Sequence, residues 1–227
     1  MGPLRTVTAL FTDLVGSTGM EARIGPAKAE ELRVEYFTLL REVLAETGGR
    51  EVKSTGDGVM AVFPSVAGAV DCAVVIEQRI DRRNEQADEE LRVRVGLNLG
   101  DAVAENGDYF GLAVNTAARL CDAAAPGQIL TSDLVRAIVS GRAEHEFVPV
   151  GELDLKGLPE PTPAFEVRWE PLDPESAGVP LPMRLAQPPP TGYVGRAAER
   201  SRLIQLWAAA VAGKRQVAFL SGEPGIG

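Results

Sequence analysis

Two aspartates stand beside small residues that leave a carboxylate free at the end of an element. Phe11-Thr12-Asp13-Leu14-Val15-Gly16-Ser17-Thr18 carries an acid at the end of an apolar, β-branched run, directly before a glycine and two hydroxyl residues that open a helix. Lys53-Ser54-Thr55-Gly56-Asp57-Gly58 sets a second acid at a hairpin tip. Taken singly, Asp57 reads as a turn former, and Asp13 or Ser17 as a helix cap. If the first strand and the hairpin are neighbours in one sheet, the two carboxylates share an edge and hold a pair of hard divalent cations through oxygen ligands. Amides opening the following helix can then meet phosphate oxygens. A third segment, 108–120, begins with Asp108 and places Asn115 and Arg119 four residues apart, on one helical face. Lys156 lies between short strands. A solvated arginine and a surface lysine are the ordinary readings of Arg119 and Lys156 in isolation.

The elements that must position these residues alternate between strand and helix periods. Residues 5–12 read as a strand ending at Asp13, and 26–46 as a helix with Leu32, Tyr36, Leu39 and Val43 on one stripe, opened by Pro26 and closed by Gly48-Gly49. Residues 51–54 and 59–63 form a hairpin across 55–58, and Ser65 caps a helix burying Val66, Ala69 or Val70, Ala73 and Ile80. In 92–99, Val93, Val95, Leu97 and Leu99 alternate with Arg94, Gly96 and Asn98, which predicts one buried face. Asn106-Gly107 marks a tight turn, 112–124 a helix stopped by Pro126-Gly127, and 132–140 a helix closed by Gly141. Hairpins mixed with crossovers predict an α+β sandwich, helices packed on a largely antiparallel sheet, rather than a TIM barrel or a doubly wound sheet.

Composition narrows the function classes. The 227 residues carry 23 basic and 32 acidic side chains, a net charge of −9, which repels phosphate backbones and anionic lipid at long range. Sequence-independent nucleic-acid binding is thereby disfavoured. The longest nearly apolar stretch, 69–76, is broken by Asp71 and falls far short of the ~20 residues that span a bilayer. No leader pattern opens the chain, so no membrane and a cytoplasmic location are expected. Cys72 and Cys121 sit among apolar neighbours as reduced core thiols, and His145 reads as a surface residue before a strand.

Domain organisation follows from proline. Residues 1–170 form the first domain and 171–192 a Pro-rich linker. In 193–227, a helical segment and a strand at 216–220 precede Gly222-Glu223-Pro224-Gly225-Ile226-Gly227, the opening of the phosphate-binding pattern G-x-x-x-x-G-K-S/T.

The ordered set FTDLVGST, KSTGDGVMAVF, DYFGLAVNTAARL and DLKG resembles the class III nucleotidyl cyclase catalytic domain over about residues 5–168. The resemblance implies a ferredoxin-like antiparallel-sheet sandwich that acts as a head-to-tail homodimer with active sites shared between subunits. It matches Asp13 and Asp57 to the metal-binding aspartates, and Leu14 to the residue whose carbonyl joins the metal shell. Lys53 and Asp108 match the base-reading pair, Asn115 and Arg119 the transition-state residues, and Lys156 the lysine on the terminal phosphates. Two divalent cations, Mg²⁺ or Mn²⁺, are the implied cofactors.

The implied activity is adenylate cyclase: the ribose 3′-hydroxyl of ATP attacks the α-phosphate, giving 3′,5′-cyclic AMP and pyrophosphate. An acceptor at Asp108 and a donor at Lys53 suit adenine's N6 amino group and N1, and oppose guanine's O6 and N1–H. The tail resembles the entry to a P-loop ATPase module, which implies a downstream ATPase domain. Two alternatives follow: an ATP-binding regulatory module with negligible turnover in a larger P-loop signalling protein, and a P-loop ATPase for which this domain is a scaffold.

Overall fold

The computed structural model describes residues 2–139, 145–172, 197–211 and 217–218. The chain divides into two units, Met1–Ser176 and Ala177–Gly227. In the first, β1 (Leu4–Leu14), α1 (Ser17–Ile24), α2 (Pro26–Thr47), β2 (Arg50–Ser54), β3 (Val59–Phe63), α3 (Val66–Asn84) and β4 (Val93–Glu105) come first. They are followed by β5 (Asp108–Phe110), α4 (Leu112–Ala123), β6 (Ile129–Ser132), α5 (Asp133–Val139), β7 (Phe147–Leu153) and β8 (Thr162–Val167). The sheet runs β2-β3-β1-β4-β6-β8-β7, with β5 paired to β4 off that path. Only β4 and β6 pair in parallel; every other described pairing is antiparallel. The first four strands, ordered β2-β3-β1-β4, with β2 and β3 joined by a hairpin and the other links made through helices, form the expected ferredoxin-like unit.

Local chemistry sets the element ends. Pro26 opens α2 where an amide would be unpaired anyway, and Gly48, at φ 77°, closes it. The Ser65 hydroxyl accepts from the Gly68 amide at 3.3 Å and caps α3 as expected. Asn106 and Gly107 turn the β4–β5 hairpin with φ 51° and 83°. On one face of the sheet, Leu32, Tyr36, Leu40 and Val43 of α2 and Val70, Ala73, Ile76 and Ile80 of α3 pack on Leu10, Val93, Val95 and Leu97. The expected Leu39 is partly buried against this core, and Leu40, one turn beyond Tyr36, is buried beside it.

The opposite face corrects the reading of β4. Arg94, Gly96 and Asn98 do not line a solvated face; α4 lies on them. A Cβ on Gly96 would stand 2.2 Å from the Cys121 amide nitrogen and 2.3 Å from the Ala117 carbonyl oxygen. Asn98 Nδ2 donates to the Ala113 carbonyl at 2.9 Å, and Arg94 Nη1 to that of Asp122 at 2.8 Å. Alternation of polarity cannot distinguish a side chain that bonds water from one that bonds the backbone of a covering helix.

Ser132 ends β6 rather than opening α5, and the expected helix end at Ser140 lies outside the described residues. In the second unit α6 (Ala197–Val211) is described. Of the expected strand at 216–220 only Val217 and Ala218 are described, neither in a strand, and the linker beyond 172 and the glycine-rich 222–227 lie outside the described residues. Among the described residues no helix is long and apolar enough to cross a membrane.

Candidate active site

Thr12 begins the site by tying the hairpin to β1. Its buried hydroxyl accepts from the Val59 amide and from the Tyr36 phenol, both at 3.1 Å. Gly58 presses so closely on β1 that a Cβ there would sit 1.7 Å from the Thr12 carbonyl oxygen. The Leu14 amide then donates to the Asp57 carbonyl at 3.1 Å. These bonds bring the end of β1 and the hairpin tip together, so Asp13, Leu14 and Asp57 form one group. The Ser17 hydroxyl donates to the Asp57 carboxylate. Ser17 is therefore not a helix cap: Gly16, at φ 76°, holds that position with no side-chain bond.

Electrostatics at this group are tight. Arg94 sets Nε and Nη2 each 2.7 Å from Asp13 Oδ2. Burial holds the Asp13 carboxyl above the usual range against the pull of Arg94, and neighbouring Asp57 pushes the same way. Burial would raise Asp57 too, but hydrogen bonds from Ser17 and Asp13 hold it below. The two carboxyls are thus set apart, Asp13 raised and Asp57 lowered, and a divalent cation would take the same oxygens that Arg94 and Ser17 now hold. Among the described residues no three His, Cys, Asp or Glu side chains cluster to hold a metal. A two-carboxylate oxygen set fits a hard cation that takes its other ligands from a backbone carbonyl, water and substrate phosphates.

A second group lies on the hairpin arm. Lys53 Nζ is 2.5 Å from Asp108 Oδ2 and 5.6 Å from the centre of the Phe110 ring. Asp108 Oδ1 accepts from the Tyr109 amide at 2.7 Å. Slight burial would raise the Asp108 carboxyl, but the bonds from Lys53 and the Tyr109 amide, with the lysine's charge, hold it below the ordinary range.

The third group is carried by α4. Asn115 is exposed, and Arg119 Nη1 is 2.8 Å from Asp122 Oδ2 one turn on. Lys156 is exposed in the turn between β7 and β8. Its neighbour Leu155 is buried in a cluster with Leu120, so Lys156 and Arg119 each adjoin a member of one apolar patch.

Among the described residues no hydrogen bond or ion pair joins Asp13 or Asp57 to Lys53, Asp108, Asn115 or Lys156. A cavity of about 190 Å³ beside Asp57 is lined by Leu14, Ser17, Met20, Glu30 and Arg33 among others, with no member of the other two groups. Sequence reasoning missed Arg94, Thr12 and Tyr36; the signal for Arg94 was a charge between the buried Val93 and Val95 at the start of β4. His145 is half-buried rather than superficial, with Nε2 2.8 Å from Asp71 Oδ1. Cys72 and Cys121 are free and buried, and burial pushes the Cys72 thiol up to about 11.

Comparison with known proteins places the fold of the first unit. Residues 1–167 match the family model of the adenylate and guanylate cyclase catalytic domain. A pH-sensitive adenylate cyclase of Mycobacterium tuberculosis is 31% identical over 167 residues, covering 72% of this chain and 41% of that protein. A crystal structure described as an adenylate/guanylate cyclase/hydrolase from Silicibacter pomeroyi superposes with a TM-score of 0.68 at 32% identity, over 74% of this chain and 98% of that one. The adenylyl cyclase CyaB from P. aeruginosa, at 23% identity and a TM-score of 0.65 over 74% and 96% of the two chains, shares the fold. The chain spans between 6% and 41% of the length of the curated relatives compared with it. With the fold and the family model in agreement over the first unit, the chain belongs to the adenylate and guanylate cyclase catalytic domain family.

Proposed function

We propose that this chain is an adenylate cyclase, converting ATP to 3′,5′-cyclic AMP and pyrophosphate at sites shared between two copies. The observation that carries the reading is the meeting of Asp13 and Asp57, with Leu14 bound between strand end and hairpin. Cyclisation puts charge on the 3′-oxygen, the α-phosphoryl group and the leaving pyrophosphate at once. Two divalent cations, Mg²⁺ or Mn²⁺, held by Asp13, Asp57 and the Leu14 carbonyl would supply Lewis acidity toward the hydroxyl and the phosphates. Arg94, already beside those carboxylates, is placed to take phosphate oxygens once the carboxylates are engaged.

Arg119 and Asn115 act from the partner's side, the guanidinium on the α-phosphoryl oxygens and the amide on the ribose, with Lys156 on the terminal phosphates. The separation of the groups within one chain supports the shared site. Lys53 donates to adenine N1 and Asp108 accepts from N6, so ATP is favoured over GTP, at roughly 1–3 kcal/mol for each buried group left unpaired by the wrong base. Incubating the purified protein with ATP or GTP and Mg²⁺ or Mn²⁺, then weighing the product, tests this directly. Cyclic AMP as the main product is expected, with specific activity rising with protein concentration. Hydrolysis alone, or cyclic GMP in excess, overturns it.

A further inference from the structure

The strand that carries Asp108 is poorly anchored by its own backbone. β5 is three residues long and among the described residues pairs only with β4, so its lateral place beside β2 depends on side chains. Two cations from β2 reach it. Lys53 bonds Asp108 and lies over the Phe110 ring. Arg50, on the same strand, donates from Nη2 to the Tyr109 hydroxyl at 3.0 Å and lies 5.4 Å over the centre of that ring. Tyr109 is 7% exposed, packed among Val7, Met60, Val62, Ala102 and Val114. When a purine edge takes the donor of Lys53 and the acceptor of Asp108, those two groups turn from each other to the base. Arg50 on Tyr109 is then the polar link left between β2 and β5.

We propose that Arg50 is a positioning residue for purine recognition, which keeps β5 docked on β2 through Tyr109 while Lys53 and Asp108 engage the base. This rests on the assignment of Lys53 and Asp108 as the base-reading pair. It gives Arg50 no contact with the reacting atoms. Losing it therefore acts on nucleotide affinity and base choice, not on the chemical step.

The test uses the whole chain and three variants: Arg50→Met, which keeps the stem but removes the charge and donors; Tyr109→Phe, which keeps the ring but removes the acceptor; and Arg50→Lys. Steady-state cyclisation of ATP and of GTP is measured for each. Arg50→Met is expected to raise the KM for ATP roughly tenfold, with kcat within about twofold, and to lower the ATP-to-GTP ratio of kcat/KM. Tyr109→Phe should move both quantities in the same direction by less, and Arg50→Lys should recover much of the loss. An unchanged KM and base ratio in Arg50→Met, or an equal loss of kcat on both nucleotides, overturns the proposal. A second readout needs no turnover: carbon-13 titration of the Asp108 carboxyl, assigned with Asp108→Asn. With a 3′-deoxy ATP analogue bound, so that Lys53 is engaged by the base, that titration should move up toward an ordinary aspartate in Arg50→Met, and an unmoved titration overturns the proposal even if the wild-type chain makes no cyclic nucleotide. Wild-type inactivity with a shifted titration sinks the cyclase assignment and leaves the docking role standing.

Discussion

At the end of β1, Asp13, Asp57, Ser17 and Arg94 answer one another in a knot of several partners, whereas on the hairpin arm Lys53 and Asp108 meet as a single pair. Asp13 and Asp108 are alike in exposure, 27% and 26%, but Lys53 keeps 44% of its side chain in water against 29% for Arg94. In the first corner, partial burial and the crowding of several charged and polar groups set the two carboxyls apart, Asp13 raised and Asp57 lowered. In the second, water screens the ion pair, so its energy is small and its value lies in where it puts a donor and an acceptor. Reaction rate should therefore be sensitive to the first corner, and substrate choice to the second.

The largest effect should come from breaking the knot. Asp57→Ala is expected to lower cyclisation by at least about a hundredfold while the thermal melt stays cooperative; retention of near wild-type turnover would remove the carboxylate pair from the chemistry. Mixing Asp57→Ala with Arg119→Ala chains tests whether the groups act across a dimer. Random assortment on a two-fold axis should restore about a quarter of wild-type sites, and no recovery despite confirmed chain exchange would end the shared-site proposal. At the other corner, Lys53→Glu with Asp108→Cys should change the ATP-to-GTP ratio by roughly ten- to a hundredfold and turnover on the better substrate far less. Unchanged relative rates would contradict the base assignment.

The smallest effect separates the fold from both corners. Glu77 on α3 is 2% exposed, its Oε1 has no hydrogen-bond partner among the described residues, and burial, with some help from Asp81, pushes its carboxyl up to about 8 from 4.5. The folded chain then holds a proton that the unfolded chain releases between those values, so this group's contribution to stability is full below pH 4.5 and is lost as pH rises through about 8. Glu77→Gln should melt like the wild type near pH 4.5 and on the order of 5 °C higher at pH 8.5. Parallel melting curves across that range would show that Glu77 does not titrate in this way.

Much of this was legible in order and spacing. The strand ending at Asp13, the hairpin bearing Asp57, the cap at Ser65 and the turn at Asn106-Gly107 are local signals, and local signals survive without knowledge of the neighbours. What escaped depends on contact between distant segments. Thr12 reads as one more β-branched strand residue until Tyr36 and Val59 are found on its hydroxyl. Gly58 reads as a turn glycine, yet it has no positive φ and is small because β1 passes beside it. Arg94, Gly96 and Asn98 read as a wet face because nothing in their alternation announces a helix lying on them.

That covering helix works like a vernier against the strand beneath it. Asp122, the Ala117–Cys121 pair and Ala113 meet Arg94, Gly96 and Asn98 in turn, stepping about four residues along the helix for every two along the strand. Four helical residues rise about 6 Å and two strand residues about 6.6 Å, so the scales stay matched across all three marks. Slippage by one notch would cost two backbone-directed bonds together and carry Asn115 and Arg119 some 6 Å off station. The placement of these two residues is thus read off the strand as from a ruler.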